Sequence, residues 1–218
     1  MKQFQLLPKP EAGAPATGPV VPRQKRAQRT RTALLAAVEA LVATEGADAV
    51  TTTRLAEITG VSVGTIYRYF SDREQLLLAA YDGTVVRIVE TCGEALADLD
   101  AGMPMAAAAR KLLGLYLDTA ETIPAHSGLL AAMRALRPIE ADQGGGNEAS
   151  IVGDIVAPFL QKFSAGSGAV DPSRLHFLSV LMGTLVDLYL VTPDTSDRTG
   201  LREEIEAHML LALERLSG

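Results

Sequence analysis

The chain has 218 residues, which excludes a miniature scaffold and leaves room for a real core. Its 48% hydrophobic content is rich in Ala and Leu, with five Phe, five Tyr and no Trp, a balance that suits packed helices better than sheets. Cys92 stands alone and excludes an internal disulfide, and the net charge of −6 is uneven: residues 1–75 hold ten Lys and Arg against seven Asp and Glu (+3), residues 76–218 ten against nineteen (−9).

Residues 1–22 contain five prolines and few large apolar groups, the composition of a disordered extension without a signal-peptide core. The run "RQKRAQRTR" follows, with Arg23, Lys25, Arg26, Arg29 and Arg31 in nine residues and no acid; a basic arm on an acidic body points to a polyanion at one end. From Ala27 to Glu45, Leu34, Val38, Leu41 and Val42 recur at helical spacing, and Gly46 sits where that helix would stop. A Thr cluster then suits the N-cap of a short helix carrying Leu55, Ala56 and Ile58 and ending at Gly60. "VSVGTIYRYF" comes almost without a linker. Asp72 is the expected N-cap of a fourth helix of some 25 residues, with Gln75 completing a capping box. Beyond it the breaks at Pro104, Pro124, Pro138, "AGSGAVDP" and "VTPDTSDRTG" delimit helices near 104–122, 126–136, 148–164, 172–191 and 199–216. The fold expected is all-α.

Two short helices joined at a glycine form a helix-turn-helix pattern, whose second helix suits a major groove. Ala56 is small where the helices cross, Gly60 lies where the chain turns, and Ile66 faces the first helix. By periodicity Val63, Ile66, Tyr67 and Phe70 share one stripe and read as core, with Tyr67 able to pack its ring while its hydroxyl reaches outward.

The stretch "TTTRLAEITGVSVGTIYRYFSDREQLL", with a basic helix before it, resembles the DNA-binding region of the TetR family of bacterial transcription regulators, typified by T-[IL]-Y-x-[YH]-F followed by Lys and Glu. Here the match is Thr65, Ile66, Tyr67, Arg68, Tyr69 and Phe70, then Arg73, Glu74 and Leu76, with Arg in place of the commoner Lys. The resemblance implies a helix-turn-helix domain over residues 23–71 and a ligand-binding and dimerisation domain over 72–218. It implies groove-facing Ser62, Val63, Gly64, Thr65 and Arg68, phosphate contacts from Thr52, Thr53, Tyr67, Tyr69 and Arg73, and added contacts from the basic arm, Arg29 included. Arg54 reads as a solvated surface residue.

The last two helices are apolar enough to pair with a second copy, which the resemblance implies as a homodimer on a two-fold operator in double-stranded DNA. It also implies a small-molecule pocket, for which Tyr116, His126, Leu130, Met133, Arg134, Phe159, Phe163, His176 and Met182 are the candidates. His126 and Arg134, eight residues apart, would suit an acidic or phenolic ligand. The expected protein is a repressor released by a small, largely apolar effector. The alternative is a helical carrier or interaction module without DNA binding. No enzyme is expected: His126, His176 and His208 lie in separate helices without ligand spacing, and neither a metal nor a cofactor is implied. With no uncharged run near the roughly 20 apolar residues of a membrane helix, a cytoplasmic location without membrane contact is expected.

Overall fold

The computed structural model describes residues 21–137, 151–164, 171–193 and 195–217, all of it helix and connection. The expected extension up to residue 20, the "QGGGN" loop and most of "AGSGAVDP" lie outside the described residues.

Helix α1 spans Val21–Glu45, and its first buried residue is Leu34. It begins six residues before the expected start, so the basic run is helical and no extended arm. Pro22 in the first turn needs no N–H partner, and Gln, Arg and Ala favour the helix. Leu34, Ala37, Val38, Leu41 and Val42 form its buried stripe, as the spacing predicts. Gly46 at φ 85° ends it, and a 3₁₀ turn, Ala47–Ala49, leads to α2, Thr52–Thr59. Thr51 caps α2 by accepting the Arg54 N–H, and Gly60 at φ 68° closes it, its N–H reaching the Ala56 carbonyl at 3.0 Å.

Helix α3 is a single turn, Val63–Ile66, much shorter than "VSVGTIYRYF" suggests. The chain tightens straight after it: the Arg68 and Tyr69 N–H groups bond three residues back, to the Thr65 and Ile66 carbonyls. Helix α4, Arg73–Asp98, runs 26 residues, matching the expected length. Asp72 caps it by accepting the Gln75 N–H at 2.7 Å, while Gln75 Oε1 accepts the Ser71 N–H at 3.1 Å, so the capping box closes one residue early. Ten residues of α4 are buried, from Leu76 to Leu96. Each fully buried Leu or Ile there contributes about 1.5–3 kcal/mol, which makes α4 the spine of the molecule.

Then come α5 (Met105–Glu121), α6 (His126–Leu136), a π-helical turn (Val152–Val156) running into α7 (Ala157–Phe163), α8 (Pro172–Val191) and α9 (Thr195–Ser217). One core runs unbroken from α1, α2 and α3 through α4, α5 and α6 to Tyr189, Leu190 and Ile205 of α8 and α9. A smaller cluster, including Leu96, Ala109, Leu112, Phe159 and Leu160, closes the far end of α4. Helix α8 is, by length and composition, apolar enough to cross a membrane, with mean hydropathy 1.4. The sequence reading did not expect this, because Arg174, His176 and Asp187 interrupt the run.

Candidate nucleic-acid interface and cavity

Ser62 starts α3 by accepting the Thr65 N–H at 3.2 Å, and its hydroxyl lies 2.9 Å from that of Thr65. The cap leaves Ser62 and Gly64 exposed, Val63 and Thr65 half-buried, and Ile66 fully buried beneath them. A Cβ at Gly64 would meet nothing within 4 Å, so no internal packing demands glycine there. Phe70 anchors the far end in the core, with the Arg31 guanidinium 5.6 Å above its ring.

The two tyrosines depart from the stripe model. Tyr67 is 53% exposed, whereas Tyr69 is half-buried and packs on the core. The stripe assumed a continuous helix through Phe70; the tight turn after Ile66 rotates residues 67–69 out of that phase. Arg68 projects beside Tyr67 and is likewise exposed. At the start of α2, Thr53 is exposed and Thr52 half-buried, and Arg29 is exposed on α1. Arg54 is paired with Glu45 at the surface.

Arg73 turns inward. Its Nε donates to the Val50 carbonyl at 3.0 Å, and Nη2 donates to the Ala47 carbonyl at 2.8 Å and to Asp48 Oδ1 at 3.2 Å. It thus staples the start of α4 to the 3₁₀ turn after α1. A lysine has no planar fork with which to hold two carbonyls at once, which gives Arg at this position a structural reason.

A cavity of about 320 Å³ opens between α4, α5, α6, the π-helical turn, α8 and α9. Of the sequence candidates, Tyr116, Met133, Arg134, Phe159 and Met182 line it. His126, Leu130, Phe163 and His176 do not. Leu130 is fully buried in the main core, Phe163 packs against Phe159 at 5.1 Å, and His176 is exposed on α8.

His126 belongs to the α4–α6 contact. Its ring stacks on Tyr81 at 5.7 Å, and Nδ1 lies 2.8 Å from Thr84 Oγ1. The Thr84 hydroxyl donates to the Tyr81 carbonyl at 2.6 Å, so the hydrogen-bond network assigns the ring proton to Nδ1, donating to Thr84. Burial, reinforced by the positive charge of Arg87, pushes the imidazole down to about 4 and keeps it neutral at pH 7. Burial alone raises the Cys92 thiol to about 11, so it is an unreactive core residue.

Sequence reasoning missed Tyr81, Asp82, Leu112 and Asp187 in the cavity wall. Asp187 carries the most consequence: Arg134 holds its Oδ2 through Nε at 2.6 Å and Nη2 at 2.5 Å, joining α6 to α8. The signal was present, because Asp187 is the single acid in the 20-residue helix α8. Burial and the negative charge of Asp187 hold the Tyr116 hydroxyl protonated well above its ordinary range. Among the described residues no group of three or more His, Cys, Asp or Glu is placed to hold a metal ion.

The sequence profile described as "Bacterial regulatory proteins, tetR family" matches residues 34–80, from the first buried residue of α1 through α2, α3 and the first turns of α4. Residues 34–80 therefore carry the DNA-binding region that defines the TetR family. Three solved TetR-family structures share its fold. The repressor AlkX from Dietzia sp., described as implicated in biodegradation of n-alkanes, superposes with TM-score 0.59 at 14% identity, covering 86% of this chain and 97% of its own. A regulator from Shewanella sp. PV-4 gives 0.57 at 19%, covering 85% and 97%. One from Rhodococcus sp. gives 0.56 at 24%, covering 88% and 100%. A search of the curated proteins found no relative that matches the chain. The molecule therefore has the fold and the DNA-binding region of a TetR-family transcription regulator, a family whose members are generally non-enzymatic DNA-binding proteins that dimerise and bind small effectors.

Proposed function

We propose that this TetR-family chain is a repressor whose dimer binds a pseudo-palindromic operator and is released by a small, uncharged, largely apolar effector. The observation that carries the DNA half is the surface of α3. Ser62, Gly64, Tyr67 and Arg68 project from a turn whose opposite side is fixed by Ile66 and Phe70, so polar groups are presented on a rigid support. Gly64 allows close approach to the duplex, Arg68 has the fork that reads guanine, and Tyr67, Tyr69, Thr52 and Thr53 supply hydroxyls for phosphates. Val63 and Thr65 face the groove from the half-buried flank of the turn. Arg73 acts behind this surface by holding α4, and its committed donors argue for support over direct phosphate contact.

The effector half rests on the cavity. Its walls are largely apolar, and the charge of Arg134 is already balanced by Asp187, so a carboxylate head bound at Arg134 would have to displace a formed pair. That disfavours the acidic ligand suggested by His126 and Arg134 together, as does the neutral, core-bound imidazole. Helix α6 joins the two halves: Met133 and Arg134 line the cavity, while Gly128 presses on Val42 of α1. An effector that favours a shifted α6 lowers DNA affinity only to the extent that it binds the released conformation more tightly.

Dimerisation through α8 and α9 is supported by exposed apolar residues on α8, Phe177, Leu188 and Val191, which at spacings of eleven and three residues fall on one face. Phe177 is 65% exposed and Leu188 49%, an apolar surface suited to knobs-into-holes pairing with a second copy. This account also explains the high hydropathy of α8 without a membrane.

Binding to a duplex selected by the chain from a random-sequence pool tests the reading. Affinity should fall steeply with salt, and Tyr67→Ala with Arg68→Ala should abolish the preference over scrambled DNA while leaving the dimer intact. An unmodified chain that selects no duplex overturns it in favour of a carrier or interaction module.

A further inference from the structure

Helix α8 is apolar along most of its length, yet one line of it is not. Ser179, Gly183 and Asp187 recur at intervals of four, which sets them along one side of the helix, and all three line the cavity. Glycine is a poor helix former, and nothing around Gly183 requires it: its φ is not positive, and a Cβ there would meet nothing within 4 Å. The space left by its missing side chain belongs to the cavity.

From α5, Tyr116 lines the same cavity. Neither its hydroxyl nor that of Ser179 makes a hydrogen bond among the described residues, whereas Thr184 in the same wall donates to the Val180 carbonyl at 2.8 Å. Every side-chain N or O that is shut off from solvent has a partner, so the free Tyr116 hydroxyl opens onto space, and deep in the protein that space is the cavity. Burial and the charge of Asp187 keep it protonated, hence a donor. Among the described residues the wall carries two carboxylates, Asp82 and Asp187, and two guanidiniums, Arg134 and Arg137, so its formal charge is zero. A hydrocarbon filling this cavity leaves the Tyr116 donor unpaired and away from water, whereas a ligand oxygen accepts from it.

Resting on the effector reading above, we propose that the effector is an uncharged molecule with a carbonyl oxygen on an apolar frame. The oxygen accepts the Tyr116 hydrogen, and the frame occupies the space left at Gly183. Tyr116 thereby sets specificity for an oxygenated molecule over a plain hydrocarbon, and Ser179 offers a second hydroxyl to a ligand with a second polar group.

The experiment uses the full chain without DNA, in equilibrium dialysis read by gas chromatography. Its probes are three matched pairs: methyl nonyl ketone with undecane, cyclododecanone with cyclododecane, and benzophenone with diphenylmethane. Tyr116→Phe keeps the ring and breaks no hydrogen bond within the described protein, so the melting temperature should not change. In that variant the ketone-to-hydrocarbon affinity ratio should fall by roughly tenfold or more, with the hydrocarbon bound as well as before. Gly183→Leu should weaken both members of a pair without lowering the melting temperature, because leucine is the better helix former.

A ratio that Tyr116→Phe leaves unchanged for the pairs that bind overturns this inference alone. A ratio that holds while the melting temperature falls also overturns it, by assigning the hydroxyl to the fold. Unaltered binding in Gly183→Leu overturns the placing of the frame. If no member of any pair binds, the effector reading fails together with the inference. Ketone binding that depends on Tyr116, in a chain that selects no duplex, would uphold the inference and remove the repressor reading instead.

Discussion

His126 shows how a residue suspected of touching a ligand serves the joint between α4 and α6. Its imidazole titrates near 4 in the fold and near 6.5 in the unfolded chain. Between those values the unfolded chain takes up a proton that the folded chain refuses, so stability falls as pH drops from about 6.5 and levels off below about 4. The loss at the low-pH limit is at most about 3 kcal/mol. His126→Gln, which still offers a donor to Thr84 and does not titrate, should flatten this part of the pH dependence in urea denaturation; an identical acid limb would assign the loss elsewhere. Arg73 makes the same point in another way. Its positive charge was legible as a phosphate contact, but the Val50 and Ala47 carbonyls that take its donors lie 23 and 26 residues away, and nothing local announces them.

At the scale of elements, the contact between α1 and α6 is set by one missing methyl. A Cβ at Gly128 would stand 2.8 Å from Val42 Cγ1, and a β-branched valine within a helix has little freedom to turn aside. Gly128→Ala should therefore cost about 1–3 kcal/mol in urea denaturation, despite alanine's better helix propensity. At Gly93 in α4 a Cβ meets nothing within 4 Å, and there the same change should be neutral or stabilise by about 0.5–1 kcal/mol. If both variants behave alike, the α1–α6 contact is looser than its geometry implies. If it holds, Gly128→Ala should also alter the coupling between cavity and DNA, because α6 touches both.

At the scale of the whole molecule, the exposed stripe on α8 calls for a partner surface. Leu188→Glu places a charge on it without touching the core, and light scattering after gel filtration should report half the mass of the unsubstituted chain. Retention of the dimer would place the interface elsewhere. Loss of the dimer should also weaken operator binding far more than binding to a single half-site, because only the paired copy spans two half-sites.

The sequence by itself determined the helices, their order and their main stops: the Leu34–Val42 stripe, the Thr-cluster and Asp72 caps, and the left-handed Gly60 all follow from interactions within a few residues. It also carried the family motif, because Thr65–Phe70 is contiguous. Tertiary structure decided the rest. It exposed Tyr67 and packed Tyr69 through a turn that ended α3 early, gave Arg73 to backbone carbonyls, withdrew His126 into the core, and joined Arg134 to Asp187 across 53 residues. Periodicity and capping are local and survive in any context. Which charge meets which carboxylate depends on how helices far apart in the chain come to lie side by side.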